Sequence, residues 1–255
     1  MSLVTVTAAD WPANVRLCFS TRDGGSSSAP YASFNLAEHV GDAASRVAEN
    51  RRRLQARLPA GTRVAWLDQV HGAQVIAADA SLAAPARADA SWTRRPGVAC
   101  AVMTADCLPV MLTDTAGRIV AGVHAGWRGL VAGVIDNAVA ALPVPPDHLL
   151  AWLGPAIGPE AFEVGPEVMD AFLAGAQPGE AREAVASCFT RKSGTPDRLL
   201  ADLRGLARRR LESLGVHRIA SEPACTYSDA TRFFSYRRDG VTGRMAALIL
   251  RLPEG

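Results

Sequence analysis

Residues 97–130 read GVACAVMTADCLPVMLTDTAGRIVAGVHAGWRGL. Three β-prone runs lie inside this stretch: GVACAVM, LPVMLT and RIVAGVH. Each is apolar throughout rather than alternating. A strand with one wet face shows a period of two, whereas a strand covered on both faces reads as a continuous apolar run. The stretch therefore predicts strands buried on both faces. Similar runs lie on either side: RLCFS, RVAWL and AQVIAA before it, HLLAWLG and MAALILRL after it.

Helical patterns stand between some of these runs. Asp42 reads as the N-cap of a helix over roughly residues 43–58, with Val47, Leu54 and Leu58 on one face. Leu200, Leu203, Leu206, Leu211 and Leu214 mark a second amphipathic helix, which Gly215 is suited to end. A third helix is predicted at about residues 165–175, and LVAGVIDNAVAAL follows HAGWRG as a helical pattern. SLAAPARADAS and ALPVPPDH read as loops. Strands and helices do not alternate regularly, which argues against a simple doubly wound sheet. The expectation is α+β: a single domain over residues 1–255, with mixed sheets packed by helices.

Composition narrows the function. The 255 residues are 49% hydrophobic with a net charge of +2, which fits a globular protein without a nucleic-acid footprint. No apolar run approaches the roughly 20 residues that span a bilayer. The N-terminal MSLVTVTAADWPANVRL is not built like a signal peptide. The expected setting is cytoplasmic, with no membrane partner and with a monomer or homodimer as the assembly. Of the basic clusters, Arg51, Arg52 and Arg53 and then Arg208, Arg209 and Arg210 sit in helical patterns and read as solvated faces. Lys192 is the only lysine, so Schiff-base chemistry and a Walker-type phosphate loop are excluded. Five cysteines without a C-x-x-C predict reduced thiols.

Five histidines exist. His71 begins the turn HGAQ after a strand-like run. Cys107 lies in TADCLPVML just before a strand, and His124 closes RIVAGVH. One thiolate and two imidazoles suit a catalytic zinc, which keeps a fourth position open. The three positions are far apart and form no local metal motif, so spacing alone favours Cys107 as a small core residue and the two histidines as hydrogen-bonded fixtures. His39, His148 and His217 have no evident partners. In HAGWRG, glycine turns and Arg128 suit an anion beside His124, although a plain glycine turn with Arg128 on the surface fits the residues at least as well. FSTRDGG, with Arg22, is a weaker version of the same pattern, and in SYRRDGVTGRMA three arginines (Arg237, Arg238 and Arg244) crowd two glycine turns. There is no G-x-S-x-G elbow and no nucleobase-deaminase H-x-E with P-C-x-x-C.

Taken together, FSTRDGG, SFNLAEHVGD, WLDQVHGAQV, TADCLPVML, AGVHAGWRGL, WLGPAIGP, FEVGPEV and CTYSDATRFFSYRRDGVTGRMAALI resemble one family over about residues 15–252. It is the YfiH family, also called the laccase-domain or polyphenol-oxidase family and linked to the name peptidoglycan editing factor PgeF. The resemblance implies metal ligands at His71, Cys107 and His124, with Zn2+ the expected ion and Cu2+ possible. It implies a fold related to cysteine-hydrolase-like toxins. It further implies phosphorolysis of purine nucleosides, methylthioadenosine included, with adenosine deamination. Purine nucleosides and phosphate are then the partners. On that reading Arg128 and Arg22 are candidate phosphate holders, and Asn35 and Gln69 candidate contacts to sugar or base. Asp68 and Asp106 are candidates to orient His71 or to act as acid or base. The alternatives are a copper-dependent polyphenol oxidase, which five histidines disfavour, a cysteine hydrolase on peptidoglycan-related substrates with Cys107 as nucleophile, and a nucleoside-binding module without turnover.

Overall fold

The computed structural model describes residues 3–6, 10–78, 85–176, 181–195 and 197–253. Two large sheets lie face to face. One has five strands in the order Leu3–Val6, Val15–Ser20, Met245–Arg251, Val98–Thr104, Arg63–Ala65. The other has six, in the order Arg218–Ser221, Leu149–Leu153, Leu108–Asp114, Val120–Ala125, Ala90–Thr93, Val75–Ala77. Both sheets mix parallel and antiparallel pairs. The fold is α+β, as the irregular order of runs predicts.

The period of two, invisible in the apolar runs, is restored by the layers. Val98, Cys100 and Val102 point between the sheets, together with Met245, Ala247 and Ile249. The alternate residues Ala99, Ala101, Ala246, Leu248 and Leu250 face outward onto Phe34, Leu36 and Leu54. In the six-stranded sheet, Met111, Val120 and Trp152 point inward. Leu108, Val110, Leu112, Ala121, Val123, Leu149 and Ala151 face outward onto the helices. Each strand is thus apolar on both faces because helix or loop covers one and the other sheet covers the second. Full burial of one such aliphatic side chain contributes roughly 1.5–3 kcal/mol. At Gly122 the sheets approach closely: an added Cβ would lie 3.1 Å from Val102 Cγ2 of the facing sheet.

Several expectations are corrected in detail. The first helix spans Ala44–Gln55, with Ala43 at its N-cap. Asp42 lies one residue earlier, and its Oδ2 accepts from Ser27 Oγ and Asn35 Nδ2, so it ties two loops together instead. Leu200 belongs to the strand Leu199–Ala201; the helix begins only at Leu203, capped by Asp202, which accepts from the Gly205 amide. Gly215 ends it with φ +89°. The pattern after HAGWRG is two helices, Trp127–Val131 and Val134–Ala141, because Gly133 adopts φ +84° between them. The third helix is Pro166–Ala174, as expected. Arg210 is buried and paired with Asp136, so that cluster is not wholly solvated. Residues 81–84 of SLAAPARADAS lie outside the described residues; the rest is not a plain loop, since it holds the strand Ala86–Arg87 and opens Ala90–Thr93. No helix among the described residues is long and apolar enough to cross a membrane. The five cysteines are all free thiols.

Candidate metal centre

The chain crosses from the five-stranded to the six-stranded sheet in three residues, Ala105, Asp106 and Cys107, between Thr104 and Leu108. So short a crossing forces an unusual backbone, and Asp106 adopts φ +97°. Asp106 is held there by its own groups. Its Oδ1 accepts from Thr226 Oγ1 at 2.7 Å, its Oδ2 accepts from the Arg237 amide at 2.7 Å, and its carbonyl accepts from the Ile157 amide. Cys107 is thereby delivered to the mouth between the sheets. The neighbouring strand ends at the same mouth, with His124 opposite Pro109 and Ala125 opposite Leu108.

His71 comes from the other side with φ +59°. Among the described residues, His71 and Asp106 are the only non-glycine residues with positive φ. Such backbone costs energy and is retained where the surroundings enforce it. For His71 the enforcing group is Asp89. Its wholly buried carboxylate accepts from the amides of Val70, His71 and Gly72 at 3.2, 2.9 and 2.7 Å. The same carboxylate meets His124 Nδ1 at 2.8 Å, and the Asp89 carbonyl accepts from the His124 amide at 2.7 Å. One side chain therefore fixes the loop that carries His71 and the ring of His124. Burial alone would raise the Asp89 pKa, but the bonds from His124 and the backbone amides outweigh it and hold the carboxyl below its ordinary value.

The result is a convergent trio. The ligand atoms of His71, Cys107 and His124 lie within 4.8 Å of one another, and Cys107 Sγ is 3.8 Å from His71 Nε2. A tetrahedral zinc with one sulfur and one nitrogen ligand would separate those atoms by roughly 3.5 Å. With Nδ1 committed to Asp89, His124 presents Nε2, the arrangement by which an outer carboxylate orients a metal-bound imidazole. The donor set fits a metal held by three protein ligands. Without metal, burial pushes the Cys107 thiol up, but the adjacent His124 charge and the imidazole hydrogen bonds overcome it and bring it down to about 6. His124 is driven upward in return, against its burial, by the thiolate and by Asp89.

Close approach of the trio needs Gly126. A Cβ there would stand 2.9 Å from Cys107 Sγ and 3.2 Å from His71 Cδ2. Gly126→Ala is therefore expected to push the two ligands apart and lower metal affinity at least tenfold while the protein stays folded. Metal competition with a chromophoric chelator, beside a thermal melt, checks this; unchanged affinity would mean that the ligands have slack.

The trio opens onto a cleft of about 580 Å³, lined also by His39, Gln69, Met103, Asp106, Trp127, Arg128, Phe162, Tyr236, Arg237 and Arg244. Its size is ordinary for a small-molecule site. Arg128 is exposed, with its guanidinium 4.3 Å from the Trp127 ring centroid. Gln69 lines the cleft, but its amide is locked to the Met103 backbone in both directions, at 2.9 and 2.7 Å. Two predicted contacts are not brought to the cleft lining. Arg22 spends its guanidinium on the carbonyls of Ala32 and Ala230 and stacks over Phe234. Asn35 is fully buried and bonded to Ala37, Asp42 and Arg244. Asp68 is exposed on the short strand Leu67–Asp68, and the carboxylate that holds the His71 backbone is that of Asp89.

Asp89 and His39 are the residues that sequence reasoning missed. Asp89 sits in a stretch that reads as a loop, 18 residues from His71 and 35 from His124. Its one local sign is a lone acidic residue in an alanine-rich run. His39 follows no strand-edge pattern, yet it lines the cleft. His148 and His217 are exposed and take no part.

Residues 16–252 match the family described as multi-copper polyphenol oxidoreductase laccase. The chain belongs to this family. Laccase-family relatives include Purine nucleoside phosphorylase PA4543 of Pseudomonas aeruginosa, 54% identical over 242 residues, covering 94% of this chain and 96% of that one. Purine nucleoside phosphorylase YfiH of Escherichia coli is 49% identical over 249 residues, with 98% and 99% covered. Among solved structures, Neisseria meningitidis protein NMB0706 superposes with TM-score 0.91 at 45% identity, covering 98% of this chain and 99% of that one. YlmD of Geobacillus stearothermophilus gives TM-score 0.86 at 31% identity, with 96% and 94% covered. The family name speaks of several coppers, whereas one Cys/His/His trio is the only such group among the described residues.

Proposed function

We propose that this laccase-family chain is a metal-dependent purine nucleoside phosphorylase acting on adenosine, inosine, guanosine and methylthioadenosine, with adenosine deamination as a second activity. The observation that carries it is the cleft itself, which sets a Cys/His/His trio against three arginines and three aromatic side chains. Relatives that are 42–54% identical bear the name purine nucleoside phosphorylase, which supports the same reading.

In phosphorolysis a phosphate oxygen bonds to C1′ as the bond from C1′ to N9 breaks. The base leaves with that electron pair and takes up a proton. The products are a free purine and a sugar 1-phosphate: ribose 1-phosphate from adenosine, inosine or guanosine, and methylthioribose 1-phosphate from methylthioadenosine. Phe162, Trp127 and Tyr236 offer flat apolar walls to the base. Arginine guanidinium groups hold the anion and stabilise the charge that develops on the leaving base. Asp106 spends its carboxylate on Thr226 and Arg237, so its part is to hold the turn that aims Cys107. Zn2+ is the proposed ion, Cu2+ the alternative; when bound it supplies Lewis acidity at its open position. Deamination replaces the C6 amine by oxygen from water and releases ammonia. The proposed setting is cytoplasmic, as a monomer or homodimer without a nucleic-acid partner.

The test incubates purified protein with adenosine, with and without phosphate and with and without a strong chelator. Products are separated by chromatography and bound metal is counted by mass spectrometry. Adenine and ribose 1-phosphate are expected only with phosphate, and are lost with chelator. Inosine without phosphate establishes the deaminase arm. No product under any condition, with zinc bound, would overturn the reading. A cysteine hydrolase comes forward if the protein also proves to hold no zinc, because without metal His124 and His71 bring the Cys107 thiol down to about 6.

A further inference from the structure

Three arginines line the cleft, but they are not equivalent. Arg128 is exposed and lies over Trp127, so its charge is screened by water. Arg237 is exposed as well; its Nη1 donates to the Glu163 carbonyl, and the Glu163 carboxylate lies close enough to be stabilised by it. Arg244 differs on both counts. It is half-buried, and it forms no salt bridge among the described residues. Its Nη1 is anchored on the carbonyls of Thr242 and Gly243 at 2.9 and 3.1 Å, which leaves Nε and Nη2 for the cleft.

The backbone behind Arg244 is fixed from across the molecule. Its amide donates to Asn35 Oδ1 at 2.9 Å, and its carbonyl accepts from the Leu36 amide at 3.1 Å. The Asn35 side chain thus reaches the cleft through Arg244. Facing Arg244 are the Tyr236 ring, centred 5.8 Å from Cζ, and the anionic groups of Cys107 and Asp106. The Asp106 carboxylate already accepts from Thr226 Oγ1 and the Arg237 amide, and the Cys107 thiolate would be spent on a metal if one were held there, so neither would satisfy the guanidinium fork. Burial then makes the missing anion costly for the protein and favourable for a ligand. His39 lies on the same stretch of cleft wall and close to Arg244. His39 is exposed at the cleft, and local desolvation together with the Arg244 charge pushes its imidazole below the ordinary range, which favours the uncharged, hydrogen-bonding form.

We infer that Arg244, assisted by His39, forms the oxyanion subsite of this cleft and takes inorganic phosphate. The inference rests on the phosphorolytic reading and adds which arginine binds the co-substrate. A fork anchored through one nitrogen and open at the others suits two phosphate oxygens at once. Arg128, which stands beside His124 in the sequence, is then a rim residue.

The experiment titrates inorganic phosphate into zinc-loaded protein by calorimetry, for wild type, Arg244→Gln, Arg244→Lys and Arg128→Gln. Glutamine can keep bonds to the Thr242 and Gly243 carbonyls, and a thermal melt verifies the fold. Arg244→Gln is expected to weaken phosphate binding on the order of tenfold to a hundredfold. Arg244→Lys falls between, since it keeps the charge and loses the fork; it decides the matter if the glutamine variant does not fold. Arg128→Gln is expected to change affinity less than about threefold, by the weakness of exposed charge pairs. Equal binding by wild type and both Arg244 variants, or no binding by wild type at millimolar phosphate, overturns the inference. In turnover, Arg244→Gln raises the KM for phosphate and leaves that for nucleoside nearly unchanged; an equal rise in both also overturns it. Wild type that binds phosphate through Arg244 but releases no purine would sink the phosphorylase reading and leave the anion subsite standing.

Discussion

Replacing Cys107 by alanine is expected to abolish metal-dependent turnover, lowering kcat by roughly a thousandfold or more. Lewis-acid stabilisation is worth several kcal/mol, and each 1.36 kcal/mol is tenfold in rate. Two histidines remain after the substitution, too few to hold zinc against a competing chelator. The thiol is half-buried at the cleft and is not a core residue, so the fold is expected to survive. Zinc content by mass spectrometry and initial rates on adenosine with phosphate check both halves. A Cys107→Ala protein with normal zinc and normal rate would end the catalytic-metal account. The same residue gives a pH signature. In metal-free wild type, His124 and His71 bring the Cys107 thiol down to about 6. Below that pH the group is protonated and slow to alkylate; above it the thiolate is present and reacts. The rate with iodoacetamide should therefore rise through pH 6, well below the usual thiol range near 8.5, and zinc should suppress it. A midpoint near 8.5 would show that the pair does not form.

Asp89 should be nearly as sensitive, although it touches no metal. Asp89→Asn keeps the volume and removes the charge, and one face of the new amide presents N–H to amides that need an acceptor. Outer carboxylates on metal-bound histidines are worth about 10- to 100-fold in metal affinity, and a loss in that range is expected here. Asp89→Ala goes further. It strips the acceptor from three backbone amides and from His124 Nδ1 inside the protein. Each orphaned buried donor costs about 1–3 kcal/mol, so the midpoint of denaturant unfolding should fall clearly. His71 should also lose its left-handed backbone, because the Asp89 bond to its amide holds that conformation. Zinc affinity by competition and unfolding by circular dichroism separate the two effects. Wild-type values for both variants would mean that another group supports the site.

The fold class was legible because burial leaves a mark on composition. Val98, Ala99, Cys100 and Ala101 are consecutive and all buried, as a strand covered on both faces requires. The metal trio was legible through its neighbours: His71, Cys107 and His124 each sit in a block long enough to point to one family. Boundaries were less legible. Leu200 carries the spacing of the helix that follows, but pairing with Glu163 and Thr190 draws it into a strand. Gly133 split a helix that periodicity alone joins.

What the sequence determined by itself is which segments are buried; the three side chains that could hold a metal were named by the resemblance of their motifs to one family. Hydrophobic transfer is local and additive, so it writes a pattern that can be read along the chain. The tertiary structure alone decided which polar group serves which partner. Asp89 reaches His124 across 35 positions, Thr226 reaches Asp106 across 120, and Asn35 reaches the Arg244 amide across 209. A hydrogen bond has no period and no preferred separation in sequence. It depends on an approach to about 3 Å that only the packed sheets create.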